Sequence, residues 1–210
     1  KIDTTTTAGS ESGNMLGEEA DSDSLSHQWP LGSGSSKKIT VKNPSADGAW
    51  LTNGDMEDFT TNTPDSWTID TGVAGADIKE EATTVYRGSK ALEYTGDGVT
   101  LSAISQDLSA LSLKSRTPYP VSVQVSVDVV PAAGTLVLDL YDGAAIINDD
   151  QGTANSLTVD LTAANTTFQR SGRSFRLPEP VPATVKFRVR LSAAISAGSS
   201  AFIDDVIFGA

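Results

Sequence analysis

Pro120-Val-Ser-Val-Gln-Val-Ser-Val-Asp-Val129 is the stretch from which the fold follows. Val121, Val123, Val125, Val127 and Val129 fall on one side of an extended chain, and Ser122, Gln124, Ser126 and Asp128 on the other. Successive side chains of a strand point to opposite faces, so this period of two predicts a half-buried antiparallel strand with its polar row toward solvent. The same scheme recurs from Ala183 to Leu191, where Val185, Phe187, Val189 and Leu191 point inward and Lys186, Arg188 and Arg190 outward. Leu136 to Tyr141, Leu157 to Leu161, Gln169 to Leu177 and Ala201 to Phe208 supply further strands.

Turn chemistry separates these runs. Asp97-Gly98, Asp142-Gly143, Gln151-Gly152 and Ala197-Gly198 are turn dipeptides, and Pro131, Pro178, Pro180 and Pro182 lie between strands. No segment shows a run at helical spacing. The reading is an all-β chain, an antiparallel two-sheet sandwich of about eight or nine strands over residues 47–210.

Residues 1–46 differ. They are rich in Thr, Ser, Gly, Asp and Glu, with Thr4 to Thr7 as a homopolymer and Gly32 to Ser36 as a linker-like tract. Such a composition buries too little apolar surface to offset its ordering entropy, so the expectation is an extended, low-complexity N-terminal arm. Its bulky apolar points are Met15, Leu16, Leu25, Trp29 and Leu31, which suit plugs seated in neighbouring subunits. Folding back onto the chain's own sandwich is the alternative.

Composition narrows the function. The chain has 210 residues, a formal net charge of −12 and no cysteine. Disulfides, thiolate metal sites and a cysteine nucleophile are therefore excluded. The acidity argues against nucleic acid, whose recognition rests on Lys and Arg neutralising phosphates. No apolar run approaches the roughly 20 residues that span a bilayer, and the first residues lack a signal-peptide pattern, so no membrane partner is expected. His27, the single histidine, lies in the arm, which leaves the sandwich without a Ser-His-Asp constellation. The expectation is a protein that is not an enzyme.

Two motifs bracket the sandwich: Leu51-Thr-Asn-Gly-Asp-Met-Glu57 at its start and Phe202-Ile-Asp-Asp-Val-Ile-Phe208 at its end. With Trp67 and Tyr86-Arg-Gly-Ser-Lys-Ala-Leu92, they make the chain resemble the carbohydrate-binding-module and galactose-binding-like jelly rolls. That resemblance implies jelly-roll topology, with Trp67 as a packing residue and Trp50 over one end of the barrel. It also implies a structural Ca2+ held by the Asp55 carbonyl, the Glu57 carboxylate, carbonyls between Arg87 and Lys90, and the Asp204 carboxylate. Hard oxygen donors from distant parts of the chain suit that ion. Asp55 departs from the pattern, which commonly has glycine there, though a carbonyl ligand survives the change. In the competing reading Glu57 caps a turn and Asp204 bonds backbone amides. Strand alternation places Asp204 and Asp205 on opposite faces, so they should do different work.

Asn148 to Gly152 is a second acidic cluster, without EF-hand spacing, and reads as a solvated turn. Sugar recognition needs aromatic faces with polar neighbours, for which Tyr86 and Tyr141 are the candidates. The row Lys186, Arg188, Arg190 reads as a solvated face, or as the complement of an acidic neighbour if the sandwich forms a homo-oligomer. Two functions fit. One is a structural protein of a large assembly, a phage capsid decoration or other virion surface protein anchored by its arm to neighbouring subunits. The other is a glycan-binding module of a secreted polysaccharide-active enzyme, with residues 1–46 as linker.

Overall fold

The computed structural model describes residues 24–31, 35–42 and 50–209. The chain divides into two units, residues 1–45 and 46–210. In the first, β1 (Ser24–Leu31) runs antiparallel to β2 (Ser35–Lys42), with Leu25 opposite Val41, Trp29 opposite Lys37 and Leu31 opposite Ser35. That part of the expected arm is therefore a paired hairpin. Met15 and Leu16 lie outside the described residues, as do the side chains of Leu25, Trp29 and Leu31.

The second unit opens with a short ribbon of β3 (Phe59–Thr60) and β4 (Thr63–Pro64). Ten longer strands follow: β5 (Thr68–Thr71), β6 (Ile78–Glu81), β7 (Ala91–Thr95), β8 (Ala103–Asp107), β9 (Pro118–Val127), β10 (Thr135–Tyr141), β11 (Ser156–Asp160), β12 (Gln169–Arg176), β13 (Lys186–Ala193) and β14 (Ser200–Phe208). They form two five-stranded sheets. Sheet A has the order β11-β10-β13-β8-β5 and sheet B the order β12-β9-β14-β7-β6. Every pairing within them is antiparallel. The helical segment among the described residues is one 3-10 turn, Leu161–Ala163, capped by the Asp160 carboxylate, which accepts from the Thr162 N–H.

The core fills the space between the sheets. Val121, Val123, Val125 and Val127 of β9 are all buried, and so are Leu136, Leu138 and Leu140 of β10 and Phe187, Val189 and Leu191 of β13. Each such side chain contributes about 1.5–3 kcal/mol of transfer free energy. Tyr94 of β7 is wholly buried and donates its hydroxyl to the Val189 carbonyl at 2.8 Å, a polar link between the sheets. Burial pushes its phenol well above the ordinary value. Trp67 packs edge-on to Phe187 and donates its indole N–H to the Asn53 carbonyl at 3.1 Å. Trp50 meets the edge of Tyr119, where β9 begins.

Two details of β9 differ from the sequence expectation. The strand ends at Val127, so Val129 is 59% exposed rather than inward. Ser122, Gln124 and Ser126 are buried rather than solvated, because longer side chains of the adjoining strands lean over this interior strand. Arg170 of β12 reaches Ser122 with a 3.0 Å hydrogen bond.

The last strand breaks its own alternation. The β14–β9 register shifts between Asp204 and Ile207, and Asp205 takes the left-handed φ of 48°. The extra residue of a bulge changes which side chains point inward. Ala201 and Ile203 are buried before it, and Val206 and Phe208 after it. Strict alternation from Ala201 would have sent Asp205 and Ile207 into the core instead.

Candidate functional site

The outer face of sheet A is built by the polar halves of two alternating strands. In β10, Leu136, Leu138 and Leu140 face the core, which leaves Asp139 and Tyr141 outside. In β13 the inward Phe187, Val189 and Leu191 leave Lys186, Arg188 and Arg190 outside. Pairing sets Asp139 beside Arg188 and Tyr141 beside Lys186. Arg188 binds Asp139 through two nitrogens, Nε to Oδ1 at 2.9 Å and Nη2 to Oδ2 at 3.1 Å. Arg190 adds Nε to Oδ2 at 2.8 Å.

This cluster is no ordinary solvated row. Asp139 is 0% exposed, and the two arginine side chains only 16% and 22%. A carboxylate removed from water is costly unless charge and hydrogen bonds compensate it, and here two guanidinium groups do so. The acidic neighbour of the basic row thus comes from the same sheet. The Arg188 guanidinium also lies 4.0 Å from the centroid of the Tyr141 ring, a cation-π stack that fixes the ring. The Tyr141 hydroxyl donates to the Gly143 carbonyl. One strand further out, Ser105 of β8 donates to Asp70 at 2.9 Å. The face offers a positioned aromatic edge beside fixed polar groups.

At sheet B, Glu57 from the loop before β3 and Asp204 from β14 meet one loop from two sides. Glu57 accepts from the Ser89 N–H at 2.9 and 3.0 Å, the Ser89 hydroxyl at 2.8 Å and the Lys90 N–H at 3.2 Å. Asp204 accepts from the N–H groups of Tyr86 and Arg87 at 2.9 and 3.1 Å on Oδ2 and from that of Asp205 at 2.6 Å on Oδ1. Burial pushes the Asp204 carboxyl above the ordinary carboxylate value, against the pull of those N–H donors. Gly88 is required here: its φ is +79°, and a Cβ would lie 2.0 Å from Glu57 Oε1. Asn53 holds Glu57 in place, its Oδ1 accepting from the Glu57 and Asp58 N–H groups at 3.0 Å. Among the described residues, no group of three or more His, Cys, Asp or Glu is placed to hold a metal ion.

The acidic cluster after Ile147 is a turn. Asp149 accepts from the N–H groups of Gln151 and Thr153, and Asp150 pairs with Arg116 at 2.6 Å. The Glu179 N–H and then Arg116 hold the Asp150 carboxyl below its ordinary value. A cavity of about 270 Å3 adjoins Arg116, Asp150 and Arg176.

No protein-family profile matches the chain, and no curated protein does. Solved structures do. A family 61 carbohydrate-binding module in complex with β-1,4-galactotriose is 17% identical, with 76% of this chain and 96% of that one covered at a TM-score of 0.51. The CBM22-1 xylan-binding domain from Paenibacillus barcinonensis is 14% identical, with 74% and 90% covered and a TM-score of 0.51. The enzymatically active domain of bacteriophage CBA120 tailspike protein 4 is 14% identical and also scores 0.51, covering 76% of this chain but 21% of that one. The fold is the jelly roll of carbohydrate-binding modules.

Within that jelly roll, Tyr86 and Tyr141 do not form one platform. Tyr86, 47% exposed, sits on the loop bonded to β14 of sheet B, against Phe168 at 5.8 Å, whereas Tyr141 belongs to sheet A. Asp204 and Asp205 do different work but on one side of the strand, Asp204 as a buried acceptor of backbone N–H groups and Asp205 in an ion pair nearer the surface. Asp204 takes the Arg87 N–H and Asp205 takes its guanidinium at 3.0 Å, because the bulge turns both toward the same loop. Glu57, Asp204, Arg87 and Lys90 gather around that loop, and Asp55 lies two residues before Glu57. Asp139 is the residue that sequence reasoning missed. Its signal lay in Leu-Val-Leu-Asp-Leu-Tyr141, where an acid shares the outward row with an aromatic residue.

Proposed function

We propose that this chain is a non-catalytic glycan-binding module whose site is the outer face of sheet A. The observation that carries the reading is the Tyr141–Arg188–Asp139–Arg190 network, a partly buried, pre-positioned polar cluster with an aromatic ring at its edge. Sugars are recognised by such pairings of a ring face with fixed hydrogen-bonding groups. The likeness to a module in complex with β-1,4-galactotriose and to a xylan-binding domain supports this reading over the assembly protein of a virion. The virion reading rests on Met15, Leu16, Leu25, Trp29 and Leu31, whose side chains lie outside the described residues. An extracellular location goes with the glycan reading.

The test is a calorimetric titration of the full chain with a panel of plant and microbial polysaccharides, repeated with Tyr141→Ala. The expected result is binding to at least one glycan, weakened about tenfold or more in the variant, which corresponds to about 1.4 kcal/mol. Unaltered affinity in Tyr141→Ala would move the site off this face.

Calcium is a separate proposal. The carboxylates of Glu57 and Asp204, with carbonyls of Asp55 and of the 87–90 loop, are hard oxygen donors of the kind the ion takes, and Asp204 is buried without a cation beside it among the described contacts. The ion would supply that charge and tie the first motif to the last strand.

A further inference from the structure

We propose that the open edge of β12 takes up an extended peptide segment of a partner protein as an added strand, one in which acidic and aliphatic residues alternate. The proposal is independent of the glycan reading. It follows from where the backbone groups of that edge point.

β12 borders sheet B and pairs with β9 alone. In an antiparallel ladder, successive residues turn their N–H and C=O groups alternately toward one neighbour and the other. The Val127 N–H bonds the Asn165 carbonyl, in the segment leading into β12, while the Asp128 N–H bonds the Ser200 carbonyl of β14. Odd-numbered residues of β9 therefore face β12, and their partners Gln169, Ser171, Arg173 and Phe175 face back. The backbone groups of Arg170, Gly172, Ser174 and Arg176 point off the sheet. At Arg176 the position is filled: the Asn155 side chain accepts from its N–H and donates to its carbonyl, both at 2.7 Å, as a neighbouring strand would. At Arg170, Gly172 and Ser174 the N–H and C=O groups have no partner among the described residues.

The other three sheet edges do not offer this row. β5 and β6 have four residues each and β11 five, against eight in β12. β5 carries a register irregularity, the Glu80 N–H of β6 is taken by the Asn62 side chain, and the Ser156 carbonyl of β11 by Arg173.

An exposed edge is a template for pairing with another chain. Two copies of β12 would set three arginines against three, and like charges across a strand pair repel. An acidic strand meets the opposite condition. Arg170 shares the outer face of sheet B with its neighbour Gln124, donates to Ser122, and has no ion-pair partner among the described residues. Arg176 adjoins Asp149 and Asp150 at the far end, so Arg170 is the group that selects a carboxylate. On the other side of the strand a cavity of about 250 Å3 opens between β12 and β11, lined by Gln169 and Ser171 with Val125, Val159, Ala163 and Ala164. Its carboxylate, Asp160, caps the 3-10 turn. An added strand places alternate side chains on the two sides. The residue opposite Arg170 is therefore acidic, and the next, opposite Ser171, is aliphatic and enters the cavity.

The experiment is NMR-detected amide exchange in the full chain with a peptide of about ten residues alternating Glu and Val. Its controls are a Lys-Val peptide of the same length and the Glu-Val peptide N-methylated at every residue. The expected result is that exchange at Arg170, Gly172 and Ser174 slows about tenfold or more with the Glu-Val peptide and with neither control. Arg170→Glu should lose that protection and gain it from the Lys-Val peptide, while unchanged protection at Val121, Val123 and Val125 shows that the β9–β12 ladder is intact. No protection of the three edge amides at millimolar peptide, equal protection by the Lys-Val peptide, or protection confined to other segments would overturn the proposal.

Discussion

Asp139 carries two roles in one side chain. Its carboxylate neutralises Arg188 and Arg190, and by holding them it sets the donors that the face presents. Breaking a buried ion pair by removing one partner costs about 3–5 kcal/mol, because the remaining charge stays uncompensated. Asp139→Ala should therefore lower unfolding free energy by about that amount in denaturant titrations, whereas a loss under about 1 kcal/mol would mean the arginines swing out to water. Asp204 gives a pH signature. Its folded carboxyl titrates above the ordinary value of 3.8, chiefly from burial. The unfolded chain releases that proton first as pH rises, so the folded state holds more protons in the window above 3.8 and stability falls across it. Asp204→Asn removes this component. The melting temperature of the variant relative to wild type should rise through that window and then level off, and a difference that stays constant from about pH 3 to about pH 8 would refute the assignment.

At the scale of strands, alternation told most of the story and the ends of strands told the rest. The valine row of β9 and the apolar row of β13 face the core as their period of two requires. Val129 escaped the pattern because the strand stops at Val127, and strand ends depend on where partners run out rather than on local sequence. The bulge in β14 was equally hidden. It brings Val206 and Phe208 into the core and keeps Asp205 out of it, and one left-handed residue achieves the shift. Tyr94 joins the two sheets through its hydroxyl bond to the Val189 carbonyl. Tyr94→Phe keeps the ring and loses the bond, for an expected cost of about 0.5–1.5 kcal/mol in chemical denaturation. A neutral substitution would show that the carbonyl finds another donor.

Across the sandwich, the first motif and the last strand meet on the loop from Tyr86 to Lys90, which Glu57 and Asp204 hold from either side. If calcium occupies that junction as proposed, millimolar Ca2+ should raise the melting temperature and a chelator should reverse the rise, with the effect lost in Glu57→Gln. No heat and no thermal shift on titration would remove the ion and leave the amide hydrogen bonds as the whole of the pin. The fold class was legible without coordinates, because alternating rows and turn dipeptides are local signals that one strand and its neighbours obey independently. The bracketing motifs were legible for the same reason, as short stretches with fixed chemistry. What only the tertiary structure decided was partnership. Asp139 and the arginines of β13 are about fifty positions apart in sequence, and they form a site because β10 and β13 pair in one register. Tyr86 and Tyr141 look equivalent as residues and are separated because Tyr86 lies on a loop held to β14 of sheet B while Tyr141 ends β10 of sheet A. Sequence sets which face of a strand a side chain takes, and pairing between distant strands sets what it meets there.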